Sequence, residues 1–279
     1  MAQLIDGKQI SKQIKDELKV EVQKLKEQGT EICLAVVQVG EDPASTVYVN
    51  NKKKACAYIG IESRAYELPE TTSEEELVSL VEDLNQDDSV NGILVQLPLP
   101  EQINEDRIIR TISPDKDVDG FHPVSVGRLW IGEKGFLSCT PAGIIQLLKR
   151  SGITIEGKEC VIIGRSNIVG KPMAALLLRE NGTVTVAHSR TRNLAEITRR
   201  ADILIVAIGK ERFITSEYVK DGAVVIDVGM HRDSENHLCG DVDFKDVEPK
   251  VSAITPVPGG VGPMTIAMLM NNCVETARR

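Results

Sequence analysis

The chain has 279 residues, enough for two domains of ordinary size, and 42% of them are hydrophobic, enough to bury sizeable cores. A formal charge of −8 at pH 7, with Lys and Arg spread along the chain, gives no electrostatic case for nucleic acid as a partner. Six cysteines without CxxC or CxxH spacing signal neither a zinc site nor a dithiol redox site, and Cys33, Cys56 and Cys160 read as small core residues. Asp6, Lys8 and Lys12 interrupt any leader-like apolar start, and no apolar run is long enough to span a bilayer. The expected setting is a reducing cytoplasm, with no metal and no membrane role.

In chain order, Ile10, Ile14, Leu18, Val22 and Leu25 predict a helix over 7–28, stopped by Gly29. ICLAVVQV at 32–39 reads as a buried strand, followed by the turn GEDPAS, a helix over 44–59 and a strand over 62–67. Thr72 or Ser73 can cap a helix over 74–85, with Glu75 or Glu76 three residues on. GILVQLPLP at 92–100 is read as a strand ending in prolines, and a short helix takes 104–111. The segment 113–140, rich in Asp, Gly and Pro, reads as irregular and as the domain boundary. A helix over 141–150 opens a second series, with strands at 160–163, 183–187, 203–207 and 223–227 and helices at 169–180 and 191–199. The stretch 229–250 reads as a polar loop, 251–254 as a last buried stretch, and 263–277 as a closing helix. Such alternation predicts an α/β fold of two lobes, each a parallel-type sheet covered by helices, the second Rossmann-like. The expected division is residues 1–138 and 139–260, with helix 261–279 packing back on the first domain.

VIIGRSNIVGKP at 161–172 is a strand, a glycine turn and a helix start. Gly164 and Gly170 permit a tight turn and let a pyrophosphate approach backbone N–H groups. The spacing is GxSxxxG and not GxGxxG, so the match is weak alone and gains weight from the strands downstream. Ala207–Gly209 and Asp227–Gly229 each place a glycine just past a strand, where backbone can run beside a nicotinamide. After the second strand, where NAD sites place an acid, the chain reads His188, Ser189, Arg190, Thr191. Arg190, with Arg165 in the first turn and a neighbouring hydroxyl, suits a 2′-phosphate and predicts NADP; the bland reading of Arg190 is an exposed helix-start residue. His188 either packs beside the adenine or covers the sheet edge.

Tyr48 and Lys52 lie four apart, so they share a helix face. In a cleft the lysine could have a lowered pKa and move protons; on a surface it is merely solvated, as Lys53 and Lys54 are expected to be. Gln96, at the carboxyl end of a strand, either fixes a lysine or ligand amide or caps a loop. Asp117 and Asp119 in DKDVDGFHP form an Asx turn or present a carboxylate to a polar heterocycle. TPVPGGVGPMT at 255–265 is stiff and poor in side chains, suited to close contact with a ring or to a rigid link.

Taken together, YVNNKKKAC at 48–56, VQLPLP at 95–100, SPDKDVDGFHPVSVGRL at 113–129, CTPAG at 139–143, GRSNIVGKP, HSRT, DVG, GDVDF at 240–244 and TPVPGGVGPMT resemble, in order and along the whole chain, the bifunctional methylenetetrahydrofolate dehydrogenase/methenyltetrahydrofolate cyclohydrolase family in its short bacterial form. The resemblance implies hydride transfer to NADP, then hydrolysis of the methenyl product to 10-formyltetrahydrofolate. It implies Lys52 as the catalytic lysine, kept neutral by the cationic substrate, Gln96 as its orienting partner, Tyr48 stacking on the aminobenzoate and Asp119 holding the pterin edge. It implies Leu97, Pro98, Val257, Pro258, Gly259 and Gly260 in the folate pocket. Thr140, Gly164, Arg165, Ser166, Val169, Gly170, His188, Ser189, Arg190, Ala207, Gly209, Asp227 and Gly229 fall to the cofactor, and a homodimer through the nucleotide domain is implied.

The chain departs from the family at Ser138, where a proline is common before CTP, at Glu211 and Arg212, and at Met230 and His231, where Ile and Asn are usual. None removes a residue the chemistry requires. Intact Lys52 and Gln96 argue against a monofunctional dehydrogenase. VQLPLP with DVDG argues against an amino-acid or shikimate-type dehydrogenase, and retained Lys52 and Asp119 argue against a non-catalytic nucleotide-binding scaffold.

Overall fold

A computed structural model describes residues 2–278. It opens with a two-residue strand β1 (Gln3–Leu4) and helix α1 (Gly7–Glu27), whose Ile10, Ile14, Leu18 and Val22 form one buried stripe. Strand β2 (Cys33–Val39) is buried at all seven positions. Helix α2 (Pro43–Ile59) starts where the Asp42 side chain accepts from Ser45 N, and it stops at Gly60 in the left-handed region. Strand β3 (Glu62–Leu68) follows, then α3 (Glu74–Gln86), opened by a full Ser73–Glu76 capping box.

Strand β4 (Gly92–Val95) is shorter than the expected 92–100. Pro98 and Pro100 have no N–H to give a ladder, so pairing ends before them. After α4 (Glu105–Thr111) comes α5 (Pro123–Ile131), inside the stretch read as irregular. His122 Nδ1 accepts from Val124 N at its start, Pro123 pre-sets the first turn, and Gly132 closes it. Helix α6 (Cys139–Arg150) leads to β5 (Glu159–Ile163), α7 (Gly170–Arg179), β6 (Thr183–Ala187), α8 (Leu194–Thr198), β7 (Ile203–Val206) and β8 (Val224–Asp227). The α8 helix is shorter than the expected 191–199, because Asn193 sits at φ 52°. The stretch read as a polar loop holds an antiparallel hairpin, β9 (His231–Arg232) with β10 (Leu238–Cys239), and a short α9 (Phe244–Val247). Strand β11 (Ala253–Ile254) and α10 (Val261–Thr276) complete the chain.

Two compact units emerge. One comprises Met1–Ser11 with Ser138–Thr265, the other Lys12–Leu137 with Ile266–Arg279. The first contains a parallel sheet in the order β1-β11-β8-β7-β5-β6. The first residues enter it because Gln3 and Leu4 pair with Ala253 and Ile254, a contact that a two-residue strand gives no periodicity to announce. The second unit contains the parallel sheet β3-β2-β4, with β2 central. Each sheet has its own core. Val161, Leu204, Val206, Val225 and Ile254 belong to the first, and Ala35, Val37, Leu77, Val81 and Ile93 to the second. At about 25 cal/mol per Å² of apolar surface, each such fully buried Val, Leu or Ile side chain stabilises by roughly 1.5–3 kcal/mol.

Candidate active site

In the three-stranded unit, strand order reverses at β2, between β3 and β4. Open α/β sheets form a ligand crevice beyond the carboxyl ends of strands at such a point. Gln96 follows β4 there, and its N–H is held by Val37 O at 2.8 Å. Lys52, three turns into α2, is 8% exposed, and its Nζ donates to Gln96 Oε1 at 2.9 Å. Gln96 Nε2 turns back to Leu97 O, before the cis Leu97–Pro98 bond. The amide is thereby fixed with its oxygen toward the lysine. Tyr48 lies one turn before Lys52, half-buried, and burial raises its phenol above the ordinary value. Lys53 instead pairs with Glu67 at 2.7 Å, and Lys54 is exposed.

Asp119 follows the residues that extend the sheet beside β4, where Asp117 bridges Ile93. Burial pushes its carboxyl up, and the positive charge of Lys52 opposes that rise. Lys52, Gln96 and Asp119 are therefore neighbours in space, although 67 positions separate the first from the last. Asp117 is a different case. It is 2% exposed and accepts from Phe121 N, His122 N and Ser125 Oγ at 3.2, 2.9 and 2.7 Å. Its carboxylate fixes the turn that carries Asp119, and burial lifts its pKa to about 6. Asn272 adds a second hold, donating to Val118 O at 2.8 Å and Leu137 O at 2.9 Å. Nothing in the sequence marks Asn272, because its partners are more than 130 residues away.

In the six-stranded unit, order reverses between β5 and β7. Gly164 leaves β5 at φ 133°, and a Cβ there would stand 2.2 Å from Ala207 O. At Gly170 a Cβ would stand 2.2 Å from Gly164 O. Both glycines are thus required by backbone closeness in the turn itself. Ser166 Oγ accepts from Val169 N and Gly170 N at 3.1 and 3.3 Å, which ties the turn to the start of α7. Ser138, the departure before CTP, donates to Ile168 O at 2.7 Å and pins the same turn. Thr140 Oγ1 lies 2.8 Å from Thr265 Oγ1.

Ile163 and Ala187 are register partners, so Arg165 and the run His188–Arg190 leave adjacent strand ends together. His188 Nδ1 accepts from Arg190 N at 3.1 Å, and the His188 backbone N–H donates to Thr191 Oγ1 at 2.8 Å. The imidazole therefore organises its own turn. Arg165, Ser189 and Arg190 are exposed, and among the described residues no side-chain hydrogen bond or ion pair ties them down. Two guanidinium groups and a hydroxyl at one sheet end form a cradle suited to a phosphate. No acid stands there for ribose hydroxyls. The glycine turn and this cationic end fit a dinucleotide carrying a 2′-phosphate.

Asp227 and Gly229 have structural partners of their own. Asp227 is 3% exposed and accepts from Gly229 N, Asp241 N and Val242 N at 2.9, 2.9 and 3.0 Å. Burial raises its pKa to about 6. A Cβ on Gly229 would stand 2.4 Å from Asp241 N, so the glycine makes room for Asp241. Val257–Gly260 carries a cis Val257–Pro258 bond, Gly259 O accepts from Lys8 N at 3.1 Å, and Gly7 has no space for a Cβ against Gly260 O. Among the described residues no cluster of His, Cys, Asp and Glu could hold a metal ion. None of their helices is long and apolar enough to cross a membrane.

Residues 5–119 match the family profile of the tetrahydrofolate dehydrogenase/cyclohydrolase catalytic domain, and residues 138–279 that of its NAD(P)-binding domain. The chain is 74% identical over 279 residues to the bifunctional protein FolD of Lachnoclostridium phytofermentans, covering 100% of this chain and 99% of that one. It is similar to the crystal structure of the bifunctional methylenetetrahydrofolate dehydrogenase/cyclohydrolase FolD of Campylobacter jejuni, with a TM-score of 0.98, 53% identity and coverage of 100% and 99%. It also matches the Trypanosoma brucei enzyme solved with NADP and an inhibitor, with a TM-score of 0.94, 39% identity and coverage of 100% and 98%. The chain belongs to the tetrahydrofolate dehydrogenase/cyclohydrolase family.

Proposed function

We propose that this chain oxidises 5,10-methylenetetrahydrofolate with NADP and then hydrolyses the methenyl product to 10-formyltetrahydrofolate. The observation that carries the reading is the buried Lys52 Nζ bonded to Gln96 Oε1 at 2.9 Å with Asp119 beside it. The three-stranded unit takes the folate and the six-stranded unit the NADP.

NADP supplies a hydride acceptor at C4 of its nicotinamide. Arg165, Ser189 and Arg190 would hold its 2′-phosphate, and the N-terminus of α7 would favour the charge of the pyrophosphate. Hydride loss leaves a methenyl cation shared between N5 and N10 of the folate. Water adds to the methenyl carbon and gives up both of its protons as the formyl C=O forms and the bond to N5 breaks; one proton goes to N5 and the other is released, which discharges the cation. Lys52 Nζ is the group placed to hold and move the proton bound for N5, and Gln96 sets where it points. Asp119 grips the pterin edge, where two carboxylate oxygens match paired N–H donors. Tyr48 offers a ring face for the aminobenzoate. Positioning supplies much of the hydride step, since it needs the reacting carbons held at a near-attack distance.

A homodimer through the nucleotide unit is supported by its open sheet edge. Strand β6 exposes Thr183, Thr185 and Val186, and Leu178 on α7 is 57% exposed. A cytoplasmic setting is supported by six buried cysteines, none of them in a disulfide among the described residues.

The test is stopped-flow absorbance with methylenetetrahydrofolate and either NADP or NAD. A methenyl signal that forms faster with NADP and decays faster than spontaneous hydrolysis fits the reading. Build-up with only spontaneous decay removes the cyclohydrolase, and silence with both cofactors removes the substrate.

A further inference from the structure

Three successive amides leave β7 aimed at one carboxylate. Ile208 N and Gly209 N donate to Asp241 Oδ2 at 2.7 and 3.1 Å, and Lys210 N donates to Asp241 Oδ1 at 2.9 Å. His231 Nε2 lies 2.7 Å from the same Oδ1. Asp241 is fully buried, so both of its oxygens are occupied by these four contacts. Burying a carboxylate costs several kcal/mol unless such donors replace its water. Gly209 and Lys210 are themselves exposed, so solvent could have satisfied a looser turn at no such cost.

The carboxylate is held as firmly as it holds. Asp241 N is fixed by Asp227 Oδ1, and Val242 N by Asp227 Oδ2. A Cβ at Gly240 would stand 1.9 Å from Asp227 Oδ2, so the approach requires glycine. The order is therefore β8 end, Asp227, the 240–242 turn, Asp241, and last the 208–210 turn beyond β7. Three amides turned inward fix the peptide planes whose other edges face away from the carboxylate. Gly209, at φ 67°, lets the turn close in that form.

We infer that, given the assignment of the Ala207–Gly209 turn to the nicotinamide half of NADP, Asp241 is a positioning residue for hydride transfer. It touches neither substrate nor cofactor. It sets the orientation of backbone that does, and His231 completes its coordination.

The test compares Asp241→Asn with the unaltered chain by calorimetric binding of NADP and of 2′,5′-ADP, which lacks the nicotinamide half. The substituted amide presents its own N–H₂ to backbone donors, so at least one bond to a charged acceptor is lost, worth about tenfold or more. The expected result is NADP affinity about tenfold weaker, 2′,5′-ADP affinity within about twofold, and methenyltetrahydrofolate hydrolysis, which uses no NADP, also within about twofold. Parallel losses of both ligands, loss of hydrolysis alongside, or no change in either affinity would each overturn the inference. His231→Ala, which keeps the buried carboxylate and its three amides, is expected to weaken NADP about threefold with 2′,5′-ADP unchanged, and His231→Gln, which restores a donor, to recover it. Failure of both His231 variants to follow that order would overturn it even if Asp241→Asn did not fold. No NADP binding by the unaltered chain would remove the cofactor assignment and this inference with it.

Discussion

Gln96→Met separates an orienting glutamine from a loop cap. Methionine keeps the length and apolar bulk of the side chain and removes both polar atoms. The change leaves Lys52 Nζ, on a residue 8% exposed, without its acceptor at 2.9 Å, and leaves Leu97 O without its donor. An unsatisfied buried polar group costs about 1–3 kcal/mol, which is about 5–150-fold in a rate or equilibrium constant. Where that cost lands decides the role. If Gln96 steers Nζ in the hydrolytic step, kcat for methenyltetrahydrofolate hydrolysis falls about tenfold or more, while the KM for NADP in the dehydrogenase assay stays within about twofold. If Gln96 only caps the β4 exit, the loss appears in urea unfolding and hydrolysis survives. The assay follows loss of methenyl absorbance, corrected for spontaneous hydrolysis. A variant that hydrolyses within about twofold of the parent refutes the orienting role.

Lys52→Met should reduce hydrolysis to the spontaneous rate while circular dichroism stays that of the parent; hydrolysis near the parental rate would take the proton-handling role from Lys52. Arg165→Ala should raise the KM for NADP about tenfold or more and leave that for NAD nearly unchanged, since a charge-assisted phosphate bond is worth about 1.5–3 kcal/mol; equal losses would remove the phosphate assignment. Gly164→Ala puts a methyl 2.2 Å from Ala207 O at φ 133°, so soluble yield or melting temperature should fall sharply, and a parental melting temperature would contradict the close approach. Asp227 makes stability depend on pH. Its folded pKa of about 6 lies above the ordinary 3.8, so its contribution is complete below the unfolded value and lost as pH rises through 6, about 1 kcal/mol between pH 5 and 7. Asp227→Asn should remove that share of the slope in calorimetry, and an unchanged slope would contradict it.

The alternation of strands and helices was readable because strands buried on both faces appear as unbroken apolar runs, as in β2 and β7. Local capping was readable too: Ser73 and Glu76 stand three apart and meet. Other features needed three dimensions. Helix α5 lies behind the turn residues DVDG, and its cap is a histidine followed by proline. The pairing of Lys52 with Gln96 crosses 44 positions, and parallel register of β2 with β4 brings it about. Gly229 read as a site of ligand approach because glycine after a strand has that use. In the fold its missing Cβ also makes room for Asp241, a contact that no local pattern announces.

Buried aspartates separate the two ways this chain uses acids. Asp117, Asp227 and Asp241 are each at most 3% exposed, and each accepts at least two backbone N–H groups from turns beside strand ends. A carboxylate filled in this way has little capacity left for a ligand and much effect on backbone shape. Asp119 differs: Lys52 influences it across space, and it is only half-buried. The sequence DVD at 117–119 thus contains one acid that shapes the turn and one that the turn presents. Asp117→Asn and Asp119→Asn should therefore fail differently. The first should lower the urea midpoint of unfolding, because a buried amide cannot accept from every donor that a carboxylate serves. The second should keep the midpoint and raise the KM for both folate reactions together. Equal midpoints with equal kinetic losses would erase the distinction between the two.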